Sequence, residues 1–266
     1  MKAYELAALP PKPLIYSRPG LGKTALAMTL GEECLYIDLD DNMEVAFGLH
    51  DQFETDRLSV EVKQFLDEKP DKSDSFDRCS AFITKVSNQC ARGEFQYKYL
   101  VVDSLTSLQV ACMNGVLYKE NRLGTNPEIQ HWGKRDTQLF RLVSILRTLP
   151  IPMFMLAHEM VEDVGGTMTV KIAMDGQKLP PKIVRMFNEI WYLRARPGKQ
   201  SSTELYVQTV PTSTITCRSG RGLATGTRYA TILKDGSPQD SVSMLELLAL
   251  IHREEGELKK TVSTTA

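Results

Sequence analysis

Tyr16 to Leu30 reads YSRPGLGKTALAMTL, and no other stretch constrains the chain as tightly. Gly22, Lys23 and Thr24 follow the apolar run Leu14-Ile15-Tyr16 and precede the helix-compatible segment Ala25 to Leu30. A strand, a glycine turn, a lysine beside a hydroxyl and then a helix is the order in which backbone N–H groups can surround phosphate. The ammonium then reaches the outer phosphates and the hydroxyl faces Mg²⁺. The common spacing puts glycine six residues before the lysine, where this chain has Ser17, followed by Arg18, Pro19 and Gly20. Serine makes that turn only with a negative φ, so close approach to anionic oxygens falls to Gly20 and Gly22. The segment expected to hold ATP is Ser17, Arg18, Pro19, Gly20, Leu21, Gly22, Lys23, Thr24 and Ala25. An ordinary glycine loop between a strand and a helix is the competing reading.

Downstream, Tyr99-Leu100-Val101-Val102-Asp103 places a carboxylate just past an apolar strand. There it can hold the Mg²⁺ water shell opposite Thr24, so Thr24 and Asp103 are the expected metal-side residues. Cleaving a phosphoanhydride also needs a group that orients water. The run CLYIDLDD delivers Asp38, Asp40 and Asp41 at a strand end; Asp40 is expected in that role, with Asp41 as the fallback. Capping a helix or facing solvent is the other reading of these carboxylates. His158 ends the apolar run Met153 to Ala157 and is read as a contact to the γ-phosphate, with Glu159 able to pair with it or replace it. A plain buried histidine is the alternative.

The rest of the chain supplies alternating elements. Leu58 to Val62 is expected as a strand, and Phe76 to Cys90 carries apolar residues at helical spacing before a capping Gly93. A second helix is expected from about Trp132 to Leu149, and a hairpin about Gly165-Gly166. Glu189 to Arg194, Glu204 to Thr209 and Ser213 to Arg218 then read as strands, and Met244 to His252 as a last helix. Trp132 and Trp191 sit among apolar neighbours and read as core. Strands separated by helices predict an α/β fold with a mostly parallel sheet and an antiparallel C-terminal extension. We expect a single domain over residues 1–253 and a flexible tail over 254–266.

Composition sets outer limits. The 266 residues are 42% hydrophobic, enough for one substantial core, and no apolar run has the length of a membrane span. The start MKAYELAALPPKP lacks the features of a secretory signal, so a cytoplasmic protein is expected. Five cysteines with no C-x-x-C pair read as buried thiols. The net charge is only −1, but residues 31–77 hold 15 acidic and 4 basic side chains, whereas residues 171–228 hold 10 basic and 3 acidic, a local balance of +7. A polyanion is attracted to that later region, where Lys171, Lys178 and Lys182 flank the glycine hairpin.

The stretches PGLGKT, YIDLD, LVVDSLTSL and FMLAHE, in this order, resemble the RecA-like branch of P-loop ATPases, and in particular the short phage-encoded core ATPases of the Sak family. The resemblance spans roughly residues 12 to 222. It implies ATP hydrolysis in single-strand annealing and recombination, and self-association as a ring or filament with ATP between subunits. It also implies single-stranded DNA as a partner, a single-strand-binding protein as a further one, and the host cytoplasm as the location. Asp40 falls where RecA-like enzymes carry a catalytic glutamate, Ser104 matches the serine beside the metal aspartate, and His158 falls where they carry a sensor glutamine ahead of a DNA-facing segment, here Met160 to Pro181. Arg218 and Arg221 fall near the basic pair that reaches a neighbouring subunit's ATP; surface charge is their other reading. A nucleotide-operated switch or scaffold acting on a protein is the rival function.

Overall fold

The computed structural model of the protein describes residues 9–43, 60–198, 203–229 and 243–251. The expected tail, His252 of the expected last helix and residues 58–59 of the expected strand from Leu58 to Val62 lie outside them. Apolar runs bounded by loops form β1 (Pro13–Ser17), β2 (Cys34–Asp38), β4 (Tyr99–Asp103) and the first half of β5 (Met153–Val164), while β3 (Glu61–Gln64) is a polar, largely exposed edge strand. β6 (Thr167–Ile172), β7 (Glu189–Pro197), β8 (Thr203–Gln208), β9 (Arg218–Ser219) and β10 (Thr227–Arg228) follow. Between them lie α1 (Lys23–Met28), α2 (Ser75–Arg92), α3 (Leu105–Lys119), α4 (Ile129–Thr148), α5 (Leu179–Arg185) and α6 (244–251).

Along the sheet the order is β10-β8-β7-β1-β5-β4-β2-β3. β7 through β3 in that list run parallel, while β8 and β10 extend the sheet antiparallel beside β7. This is the RecA-like α/β arrangement, with one strand, β5, between the loop-bearing β1 and the aspartate-bearing β4. Both faces of the sheet are covered, which is why β1, β2 and most of β4 are buried along their length and read as unbroken apolar runs. On one face Leu14, Tyr16, Ile37 and Val102 pack with Ile83 of α2, Leu108 of α3, Leu142 of α4 and Ile183 of α5. On the other, Ile15, Tyr36, Val101 and Leu156 pack with Leu26 of α1 and Leu247 of α6.

Local chemistry sets the helix limits. α2 ends at Gly93, whose φ of 69° is the left-handed cap conformation glycine adopts without penalty. α4 begins three residues before the expected Trp132, because Glu128 and His131 form a reciprocal capping box. Trp191 is fully buried, whereas Trp132 is half-buried with the Arg135 guanidinium 4.6 Å from its ring centroid.

Two expectations need correction. Ser213 to Arg218 is not a strand: only Arg218–Ser219 pairs with β7, and Ile215 makes an isolated bridge to Val170. The run is rich in hydroxyl residues, and the Thr212 hydroxyl accepts the Thr214 N–H at 3.3 Å, a local bond that competes with the ladder. Conversely, the strand expected to end at His158-Glu159 continues to Val164, and the expected hairpin forms at Gly165 and Gly166 (φ 63° and 84°), leading into β6.

The extension has a counterpart. β1 pairs with β5 only as far as Ser17↔His158 and with β7 only as far as Tyr16↔Tyr192, so β5–β6 and β7–β8 both project beyond the sheet edge at which β1 ends. Two antiparallel arms therefore flank the loop that leaves β1. No helix among the described residues is long and apolar enough to cross a membrane.

Candidate nucleotide-binding and hydrolysis site

Ser17 is the last residue of β1, fully buried and outside the positive-φ set, so it continues the strand rather than making the turn. Gly20 (φ 80°) and Gly22 (φ 71°) make the turn instead, and Gly22 is the N-cap of α1. The missing glycine is thus compensated three and five residues further on. The loop is anchored by Tyr229, whose hydroxyl donates to the Leu21 carbonyl at 2.8 Å. Arg18, Pro19 and Gly20 are exposed, whereas Leu21 and Ala25 turn inward and serve the loop through packing and backbone.

Lys23 opens α1 with its side chain folded back into the loop. Its ammonium donates to the Ser17 carbonyl at 3.2 Å, the Ser17 hydroxyl at 3.1 Å and the Arg18 carbonyl at 3.3 Å. Burial lowers its proton affinity, opposed by the carboxylates of Asp103, Asp40 and Glu159. An ammonium with three weak neutral acceptors in a poorly hydrated place is ready to exchange them for a polyanion.

One residue on, the Thr24 hydroxyl donates to Asp103 Oδ2 at 2.8 Å, although 79 positions separate the two residues. Tyr36, buried in β2, donates its phenol to the same oxygen. Asp103 is 1% exposed, and burial followed by the nearby Asp40 charge pushes its carboxyl up to about 6, against the hydrogen bonds from Tyr36 and Thr24 and the Lys23 charge. A hydroxyl and a carboxylate side by side at the loop form an all-oxygen donor pair, which suits Mg²⁺.

Next to this pair lies a second carboxylate. Asp40 Oδ1 accepts the Ser104 hydroxyl at 2.8 Å and Oδ2 meets His158 Nε2 at 2.8 Å. Burial raises the proton affinity of Asp40, but hydrogen bonds from His158, Ser107 and Ser104 outweigh it and leave the carboxyl below its ordinary range. The two acids therefore shift in opposite directions, the pattern expected where neighbouring carboxylates do different work. His158 Nδ1 is buried without a hydrogen-bond partner among the described residues. The imidazole is held in place by its backbone, whose N–H donates to Thr106 Oγ1 at 3.0 Å.

The flanking carboxylates do other things. Asp38 is fully buried and accepts the backbone N–H groups of Asp40 and Asp41 at 3.0 and 3.1 Å, which shapes the loop that presents Asp40. Asp41 (φ 57°) accepts Gln64 at 2.8 Å on the exposed side. Glu159 takes the Tyr192 hydroxyl at 2.8 Å, and Tyr192 stacks on Tyr16 at 4.8 Å, so Glu159 braces β5 against β7 rather than joining His158.

Arg218 and Arg221 are not brought to this cluster. β9 pairs with the first residues of β7, at the sheet edge opposite the loop, on the order of 13 Å of strand away. Arg218 donates to the carbonyls of Phe187 and Val184 at 3.0 and 2.9 Å and closes the C-terminus of α5. The turn carrying Arg221 is held by buried Glu189, which accepts the Arg221 N–H at 2.8 Å, the Ser219 hydroxyl at 2.7 Å and the Trp191 indole at 2.8 Å. Lys178 and Lys182 are exposed at the start of α5, and Lys171 pairs with Glu162 across the β5–β6 arm.

Sequence reasoning missed Tyr36, Ser107 and Thr106. Tyr36 shares a face with Cys34 and Asp38 by strand alternation, but only the pairing of β2 with β4, Asp38 opposite Asp103, sets it against the metal-side carboxylate.

Residues 9–229 match an AAA domain family, AAA_24. The chain belongs to this family. It is therefore an AAA-type P-loop ATPase, and membership implies use of a nucleotide, usually with Mg²⁺. No curated protein matches it. Among solved structures it is similar in fold to a KaiC-like protein of the hyperthermophilic archaeon Pyrococcus horikoshii OT3. The identity there is 14%, the match covers 74% of this chain and 78% of that one, and the TM-score is 0.43, too loose a likeness to bear on this AAA domain's activity.

Proposed function

We propose that this AAA-type ATPase hydrolyses ATP between subunits of an oligomer and couples the cycle to single-stranded DNA, in annealing or recombination of phage type. The observation that carries the catalytic part is one hydrogen-bonded group at the sheet edge. Thr24 joins Asp103, and Ser104, the next residue in the chain, joins Asp40, which in turn meets His158. Mg²⁺, when bound through Thr24 and Asp103, would neutralise phosphate charge. Lys23 leaves Ser17 and Arg18 for the outer phosphates. Asp40, ionised near neutrality, orients water and accepts its proton, and His158, one residue before the β5–β6 pairing begins, reports the γ-phosphate to that arm.

Support for a polyanionic partner comes from the basic balance of residues 171–228, with Lys171, Lys178 and Lys182 as phosphate contacts. The displaced position of Arg218 and Arg221 supports action on a neighbouring subunit, because neither can serve its own loop. A second reading, a nucleotide-operated switch acting on a protein, is favoured by the exposed apolar side chains Met160, Val161, Val164 and Met168 of the β5–β6 arm. The two are separated by ATP turnover and DNA affinity measured with and without single-stranded DNA across a salt series. Stimulation and a steep salt slope support the DNA reading; flat curves overturn it in favour of the switch.

A further inference from the structure

The two arms flanking the nucleotide loop differ in charge and in surface chemistry, and the difference bears on where a single strand lies. Beyond the sheet edge, β5–β6 carries Glu159, Glu162 and Asp163 against Lys171 alone, a balance of 1 − 3 = −2, and it exposes the apolar side chains Met160, Val161, Val164 and Met168 beside those charges. Its one lysine is already paired with Glu162. Such an arm offers a phosphate backbone little net attraction.

The β7–β8 arm is built differently. Strand alternation sets Tyr192, Arg194 and Arg196 on one face of β7, and the register brings Tyr206 opposite Arg194 and Glu204 opposite Arg196, with Arg228 of β10 also opposite Tyr206. The Arg196 and Arg194 guanidinium carbons lie 5.1 and 6.0 Å from the Tyr206 ring centroid, and Arg194 is 5.9 Å from the Tyr192 ring. Glu204 takes Arg196 at 2.9 Å and Arg228 at 3.1 Å, while Arg194 donates to Gln208 Oε1 at 3.0 Å, so among the described residues the patch holds three arginines and one carboxylate, a balance of 3 − 1 = +2. Tyr206, Arg194 and Arg228 are half-exposed and Arg196 is exposed.

Net positive charge calls for a polyanion, and flat guanidinium and phenol surfaces call for planar groups. Single-stranded nucleic acid presents both, a charged backbone and unstacked bases, whereas an acidic peptide presents only the charge. We propose that the face of β7–β8 formed by Arg194, Arg196, Tyr206 and Arg228 is the principal single-strand-binding surface of the protein, with Lys171, Lys178 and Lys182 subsidiary to it. This rests on the DNA reading above and specifies its surface.

The test is fluorescence anisotropy of a labelled oligo-dT with the full chain in Mg-ATP over a salt series, with binding of a fluorescent ATP analogue as an independent check of the fold. Arg194→Gln/Arg196→Gln is expected to lose about ten-fold or more in oligonucleotide affinity and to lower the salt slope by about 1.4, since each single-strand phosphate contact contributes about 0.7. Tyr206→Leu is expected to lose about ten-fold with the slope unchanged, the signature of lost stacking, which an acidic-peptide site would not show. Lys171→Gln/Lys178→Gln/Lys182→Gln is expected to lose less than either. Should the glutamine pair fail to bind the ATP analogue, Arg194→Lys/Arg196→Lys keeps the charge and is expected to weaken binding at constant slope. Arm variants that hold oligo-dT as tightly as the unaltered chain overturn this assignment alone. An unaltered chain that binds the ATP analogue but ignores oligo-dT overturns the DNA reading itself.

Discussion

Lys23 has two sets of partners and can satisfy only one at a time. In this structure it is spent on Ser17 and Arg18; in turnover it must face phosphate, and the weak neutral contacts it leaves make the exchange favourable. Lys23→Ala is expected to abolish ATP turnover, and retained turnover would remove the loop from the mechanism. Asp40→Asn keeps the size of the side chain but not its basicity, so kcat is expected to fall by about 10² to 10⁴ with nucleotide affinity kept, as read from turnover and binding in parallel. Asp103 adds a pH dependence. Its carboxyl is raised to about 6, so between its ordinary value and 6 the folded chain holds a proton that the unfolded chain has released. Stability of the nucleotide-free protein is then greatest on the acid side of that window and declines by about 3 kcal/mol as pH rises through 6. Metal binding needs the ionised form and runs the other way. Thermal melts with and without Mg-ATP should show the stabilisation by Mg-ATP shrinking as pH falls below about 6, and a pH-independent increment would contradict the placement of Asp103 at the metal.

At the scale of elements, Gly93 ends α2 and the Glu128–His131 box starts α4 by local chemistry, and the loop from β1 to α1 has the most demanding local cause. Gly22 caps α1 in the left-handed conformation, where a Cβ costs about 1 to 2 kcal/mol. Gly22→Ala is therefore expected to lower both stability and nucleotide affinity, whereas Ser17→Ala, at an ordinary strand conformation, is expected to spare stability; urea denaturation of the two variants gives the comparison. The buried side of α2 is ordinary core by contrast. Ile83 is fully buried between helix and sheet, and Ile83→Ala is expected to cost about 2 to 5 kcal/mol in the same measurement with the catalytic geometry intact.

For the whole molecule, the two ends of the parallel strands carry different chemistry. The end where β1 stops gathers Lys23, Thr24, Asp103, Asp40 and His158, and the opposite end gathers Glu189 and the turn bearing Arg218 and Arg221. A head-to-tail oligomer would bring one end of a subunit to the other end of its neighbour. If the arginines act there, Arg218→Ala/Arg221→Ala is expected to lose about 10³-fold in turnover, and mixing this variant with Lys23→Ala should recover activity, because each supplies what the other lacks at a shared interface. Two inactive variants that stay inactive when mixed would rule out action in trans.

Much of this protein was fixed by its sequence alone. The Gly-Lys-Thr step, the apolar runs ending in Asp103, Asp40 and His158, and the helical spacing of α2 and α4 follow from local propensity and periodicity, which act over a few residues and survive in a linear reading. The placing of Glu159 against Tyr192, of Tyr36 against Asp103 and of Arg218 at the far edge did not, because each depends on which strands pair and in what register. Pairing is settled by burying both faces of the sheet at once, a condition on the whole chain that no single segment contains.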